Sequence, residues 1–155
     1  MIITNRIFFK MTDKQRFKDA NLTLAAFSGE TWVVCPKCGE KAVVRSTDAH
    51  EKAELLCSSC HYFTNKPVKR EKYSYSSTND YWFDCELWLQ ASFKGEMFWA
   101  HNDKHLAYMK EYIGAGLRER NNREFFTLVE KLPGFIKSAK NRDKLLKLIT
   151  KLEKK

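Results

Sequence analysis

The spacing of apolar and polar positions along this 155-residue chain changes several times, and each change marks a new element. Over residues 12–27, Phe17, Ala20, Leu22, Leu24, Ala25 and Phe27 recur at mostly helical intervals. Thr12 and Gln15 have the spacing of a capping box, and Ser28-Gly29-Glu30 supplies a stop, so this stretch predicts an N-terminal helix. From Tyr81 to Ala100, two aromatic-rich runs flank Ala91–Glu96, where Gly95 can make a turn. That pattern predicts a β-hairpin of half-buried strands, with Trp82, Trp88, Phe98 and Trp99 as core candidates.

Helical periodicity dominates the remainder. Leu106, Met109, Ile113 and Leu117 step by three and four, with Gly114-Ala115-Gly116 embedded in the pattern and Arg118, Arg120 and Arg123 collected at its end. A shorter helix is expected in Arg123–Leu132, halted by Pro133-Gly134. The last segment opens on Asn141, a good cap residue, and carries Leu145, Leu148, Ile149 and Leu152 on one face. The expected class is α+β: an N-terminal extension and helix (1–30), a cysteine-bearing unit (31–64), a polar, serine-rich linker interrupted by Pro67 (65–80), and a β-hairpin with C-terminal helices (81–155).

Composition adds weight to a folded chain, since 43% of residues are apolar and 14% aromatic. Net charge is +9 and uneven, with 14 basic against 7 acidic residues from Asp103 onward. Such a field favours phosphate polymers or other acidic partners. No stretch approaches the roughly 18 apolar residues of a membrane span, and the start lacks the apolar run of a secretory signal. Met11 offers a second start, which would make residues 1–10 an upstream extension. A cytoplasmic, reducing setting is therefore expected, and it governs how the cysteines read.

Cys35, Cys38, Cys57 and Cys60 form C-x2-C, 18 residues, C-x2-C, a spacing suited to a four-thiolate zinc site. Two intervening residues allow a tight turn that aims both sulfurs at one ion. Pro36 fixes one dihedral of the first turn, and Gly39 permits a left-handed residue just past it. Lys41–Ser46 and Lys52–Cys57 can then run out and back as strands. Rubredoxin-like iron uses similar knuckles, and plain thiols are the alternative to any metal. Four cysteines would close the coordination shell, so one structural Zn2+ is expected, and no catalysis at it. His61, beside Cys60, is expected to be exposed or packed, and Cys85 to be a buried free thiol.

From Trp32 to Phe63, with "CPKCG" and "CSSC", the chain resembles the zinc ribbon of transcription factor IIB and other transcription proteins. More loosely, "LWLQ", "FWAHNDKHL", "GLRER" and "SAKNRDKLL" resemble a group of small bacterial zinc-ribbon proteins. The first likeness implies a zinc-binding fold; the second implies no activity. In such relatives a further cysteine pair would stand in the hairpin turn. Here the turn reads Ser92-Phe93-Lys94-Gly95, so no second metal site is expected.

His101 and His105 stand one helical turn apart and can in principle share a metal, but Asn102-Asp103 reads as a helix N-cap, which favours capping and packing. Asp80, Asp84, Glu86, Glu96 and Asp103 surround the hairpin without a spacing that fixes a metal geometry. No phosphate-binding glycine loop or nucleophile–histidine–acid signature appears. Lys144, Lys147, Lys151 and Lys154 step along a face of the last helix distinct from the leucines, and Lys137, Lys140 and Arg142 lie near its N-terminus; Lys137, Lys140, Arg142, Lys144, Lys147 and Lys151 are the candidate nucleic-acid contacts. Trp32, Tyr62 and Phe63 can stack on bases or fill the ribbon core. The expected function is non-enzymatic: a bacterial zinc-ribbon protein binding nucleic acid, DNA or RNA, or a nucleic-acid machine. The alternative is a protein–protein interaction module of adaptor or immunity type.

Overall fold

A computed structural model describes residues 15–47, 52–67, 78–120, 122 and 125–155. Helix and strand are mixed. The strands and helices in chain order are β1 (Arg16–Lys18), β2 (Glu30–Val34), β3 (Lys41–Ser46), β4 (Lys52–Cys57), β5 (Phe63–Pro67), β6 (Leu89–Phe93), β7 (Glu96–Ala100), α1 (Asp103–Gly114), β8 (Leu117–Glu119), α2 (Leu128–Lys131), α3 (Gly134–Lys137) and α4 (Arg142–Glu153). They form a four-stranded antiparallel sheet ordered β2-β3-β4-β5, the hairpin β6-β7 and a parallel pair β1-β8.

The N-terminal helix is not found. Among its described residues the chain is extended over Arg16–Lys18 and makes a single 3-10 turn at Leu24–Phe27; Thr12 of the expected capping box lies outside the described residues. The reason is a period of two hidden among apolar neighbours. Phe17 and Asp19 are both buried while Arg16 and Lys18 are exposed. Phe17 packs edge-on against Tyr108 and Tyr112, and the Asp19 carboxylate accepts from the Tyr108 and Thr127 hydroxyls. Tertiary partners therefore override a local helical pattern.

A hairpin forms at the expected turn, but its strands are only Leu89–Phe93 and Glu96–Ala100, so Trp82 and Trp88 lie before it. Lys94 and Gly95 both take positive φ, the conformation of the tight two-residue turn whose twist matches the strands. Phe98 is fully buried, whereas Trp82, Trp88 and Trp99 are half-buried. β6, β7, α1 and α4 enclose one core around Phe98, Leu106, Ile113, Leu145 and Ile149. A second, smaller core lies inside the four-stranded sheet, around Val33, Ala42, Val44, Leu55 and Leu87.

Helix α1 is shorter than its periodicity suggests. It stops at Gly114, and Leu117 is exposed on β8 instead of continuing the stripe. Two arginines from elsewhere satisfy the carbonyls left open there. Arg118 donates from Nε to Tyr112 O, and Arg142 donates from Nε to Ile113 O and from Nη2 to Ala115 O. Asn102 caps the other end as expected: its side-chain oxygen accepts from His105 N, while its amide donates to Phe27 O and Glu30 O. Asn141 precedes α4 but makes no cap bond. Its side chain instead donates to Phe135 O and accepts from Lys94 Nζ. Within Arg123–Leu132 the described helix is only one turn, begun by a Thr127–Glu130 capping box. α4 carries the expected stripe, with Leu145, Ile149 and Leu152 buried and Leu148 half-buried. The expected linker begins inside a strand, because β5 runs through Pro67; residues 68–77 lie outside the described residues.

Candidate metal centre

Two similar knuckles set the four cysteines. In the first, Cys35 N donates to Glu40 O, Gly39 N donates back to Cys35 O, and Lys37 N points at Cys35 Sγ. In the second, Cys57 N donates to Tyr62 O. Each knuckle needs a left-handed residue just after its second cysteine. Gly39 fills it in the first (φ 78°) and His61 in the second (φ 61°). His61 is exposed, so it serves the turn.

These turns bring the four sulfurs within 4.8 Å of one another, a cluster able to hold a metal ion. Cys35 Sγ lies 3.7 Å from Cys60 Sγ, and Cys38 Sγ lies 3.6 Å from Cys57 Sγ. A regular tetrahedron with metal–sulfur bonds of about 2.3 Å requires sulfur–sulfur edges of about 3.8 Å. The chain thus places its thiols close to the positions such a centre needs. Cys35 and Cys57 are buried beneath the sheet, whereas Cys38 and Cys60 face outward. The four thiols share their protons: the backbone N–H of Cys60 leads in lowering Cys57 to about 7, while desolvation and the neighbouring thiols push Cys38 and Cys60 up.

The other candidates do not join this cluster, which is the one metal-capable group among the described residues. Asp80 is buried and receives the backbone N–H groups of Trp82, Phe83 and Cys85; desolvation nevertheless raises its pKa. It shapes a turn against the sheet. Cys85 is half-buried beside the core of the four-stranded sheet, and its thiol is pushed up to about 11, mainly by desolvation.

His101 and His105 stack at 5.7 Å, both buried. Backbone His101 N donates to His105 Nδ1 at 3.1 Å, so the neutral His105 ring carries its proton on Nε2 and cannot ligate a metal through that atom. Burial holds both rings neutral, lowering His101 to about 4 and His105 to about 3.

The six basic candidates divide into two groups. Lys137 is half-buried and donates to Glu130 O, and Arg142 caps α1, so both have internal duties. Lys140, Lys144, Lys147 and Lys151 are exposed and form no ion pair among the described residues. Lys154 extends the same stripe. From Lys144 to Lys154 it runs about 15 Å along α4 at 1.5 Å per residue.

A surface that periodicity did not show lies on the sheet. Trp32 pairs with Val43, Val43 with Leu56 and Leu56 with Phe63, so these four side chains form a row across one face. The bridge between Val33 and Leu87, with Trp88 N donating to Trp32 O, adds Trp88 to the same row. Leu56 and Phe63 are 45% and 51% exposed, so Phe63 is not ribbon core. Lys41 Nζ sits 3.7 Å from the centre of the Trp32 ring. At the far end, Lys155 Nζ lies 4.3 Å from the Trp88 ring centre and donates to Trp88 O. The C-terminal end of the lysine-bearing helix therefore touches the start of the aromatic row.

No known protein family, curated protein or solved structure matches this chain. No helix among the described residues is long and apolar enough to cross a membrane.

Proposed function

We propose that this chain is a non-enzymatic zinc-ribbon protein that binds single-stranded nucleic acid. Zinc is the ion of choice for four thiolates in a closed tetrahedral set, and such a set leaves no position for a substrate. Its role is to hold together a sheet with a small core of its own. The observation that carries the functional reading is the meeting of lysine stripe and aromatic row at Trp88. Phosphates along Lys140, Lys144, Lys147, Lys151 and Lys154 leave the bases of the same strand free to reach Trp32, Leu56 and Phe63. A duplex keeps its bases stacked inward and gains only the lysines.

The test is fluorescence anisotropy with a labelled single-stranded 12-mer and its duplex at 50 and 200 mM salt. Five phosphate contacts give a slope of log affinity against log salt of about −3.5 for a single strand, or roughly a hundredfold weakening across that interval. Failure of both oligomers to bind at low salt would sink the reading.

A second reading places a protein partner on the row. It is favoured by the Arg45–Glu30 and Lys52–Glu54 pairs, which balance the charge beside Leu56 and Phe63. Under it, Phe63→Ala releases a copurifying protein and leaves oligonucleotide affinity unchanged.

A further inference from the structure

A cavity of about 710 Å³ lies between the turn at Leu24–Phe27, β7, α1 and the short helices α2 and α3. Its walls are mainly apolar, with Leu24, Met109, Leu128 and Ile136 among them. That volume is typical of small-molecule sites. At about 30 Å³ per non-hydrogen atom, the share of a water in the liquid, it has room for roughly 20 atoms. Three polar side chains interrupt the walls, Thr23, His105 and Lys131.

His105 is 1% exposed. Its Nδ1 is occupied by the His101 N–H, one ring face stacks on Phe27 at 5.0 Å, and Trp99 meets the ring edge-on. His105 is among the residues lining the cavity, and Nε2 is its ring nitrogen not already engaged. Nε2 carries the proton, and it is a buried donor with no partner. Such groups are rare in folded proteins, because leaving a donor unmet is costly. Nε2 is closed to water, so an incoming oxygen must shift a neighbouring side chain; Met97 and Met109, unbranched and adaptable, are in the same wall. Lys131 is exposed and is the cation of the lining.

We propose that this cavity is a binding site for a medium-chain aliphatic carboxylate. Its chain lies along the leucine and isoleucine wall, one carboxylate oxygen accepts the His105 Nε2–H, and its charge faces Lys131. A hydrocarbon alone would leave the donor unmet, and a polar metabolite would strand its other groups against apolar walls. The site is separate from the metal centre and from the lysine stripe, and it does not rest on the nucleic-acid reading.

The experiment is calorimetric titration of the zinc-loaded full chain with decanoate, alongside its methyl ester, with NMR of the His105 Nε2–H. Decanoate is expected to bind saturably at one site and to shift that resonance. Ala25→Trp, at an exposed position on the rim, should block binding without touching the core. His105→Phe should weaken it about tenfold, the loss of one buried hydrogen bond, and Lys131→Gln about threefold. The ester should bind more weakly than the acid and be insensitive to Lys131→Gln. Should His105→Phe fail to fold, Ala25→Trp and the resonance shift still decide. Absence of saturable binding, or binding untouched by Ala25→Trp with no shift of the His105 signal, overturns the site. Equal binding of acid and ester overturns the carboxylate assignment.

Discussion

If the four cysteines hold zinc as proposed, stripping it should melt the four-stranded sheet and spare the helical core. Among the described residues the sheet's own core holds seven buried residues, two of them the candidate metal ligands Cys35 and Cys57, against sixteen in the cluster around α1 and α4. A structural zinc contributes about 10–16 kcal/mol to folding in small peptides, as much as the whole stability of an ordinary domain. Without it, Val33, Ala42, Val44, Leu55 and Leu87 must hold four strands unaided. Hydrogen exchange resolves the two regions. After chelation, with metal loss verified by elemental analysis, the β3 and β4 amides around the Val44–Leu55 pair should lose at least about a thousandfold in protection, equivalent to about 4 kcal/mol of local stability. The amides of Ile113 and Ile149 should change by less than about tenfold. β2 should fall between, because Trp32 N donates to His101 O and ties that strand to the helical side. Unchanged protection in β3 and β4 would refute the folding role of the metal. Collapse of α1 and α4 along with the sheet would refute the separation into two cores.

Other consequences follow from single contacts. Arg142→Gln removes two charged hydrogen bonds from the end of α1 and should cost about 2 kcal/mol, or about 6 °C in Tm, whereas Lys144→Gln should stay within about 0.5 kcal/mol; paired thermal melts check the contrast. The two buried histidines make the fold acid-sensitive. Their pKa values lie below the ordinary 6.5, so protons bind the unfolded chain first; stability is complete above about pH 6.5 and declines as pH falls toward about 4 and then about 3. His101 alone contributes roughly 3 kcal/mol across that window, and NMR should show both rings neutral down to about pH 4, a pKa near 6.5 for either being the contrary result. Gly39→Ala places a side chain at φ 78°, which should cost about 1–2 kcal/mol and speed metal loss to a competing chelator.

The elements that local chemistry specifies were legible in the chain. A C-x2-C knuckle, a Lys-Gly hairpin turn and an Asn N-cap each bind within a few residues of themselves, so their spacing carries their geometry. Elements whose partners lie far away were not. Arg16–Lys18 becomes a strand because Leu117–Glu119 pairs with it about 100 residues later, and the Ala20, Leu22 and Leu24 positions beside it imitate a helix. A separation of 29 residues from Ile113 likewise hides Arg142, which reads as a surface cation until the end of α1 is seen beneath it. His105 reads as a helix residue after a cap, and the cavity it borders is made by α2, α3 and a turn near residue 25.

The metal and the aromatic row are linked by strand parity. Side chains alternate across a sheet, so Leu55 and Cys57 must lie on the face opposite Leu56, and Val33 and Cys35 opposite Trp32. A slip of one residue between β3 and β4 would turn Leu56 inward and carry Cys57 out of reach of Cys38. Four sulfurs that must meet at one ion forbid that slip. On the proposed zinc reading, the ion fixes which side chains the outer face displays, though it touches none of them. It follows that metal-free protein should keep the salt-dependent, strand-indifferent attraction of Lys144, Lys147, Lys151 and Lys154 while losing the preference for single strands over duplex. If the chelated chain still prefers single strands, the preference comes from somewhere other than the row that Cys57 holds in register.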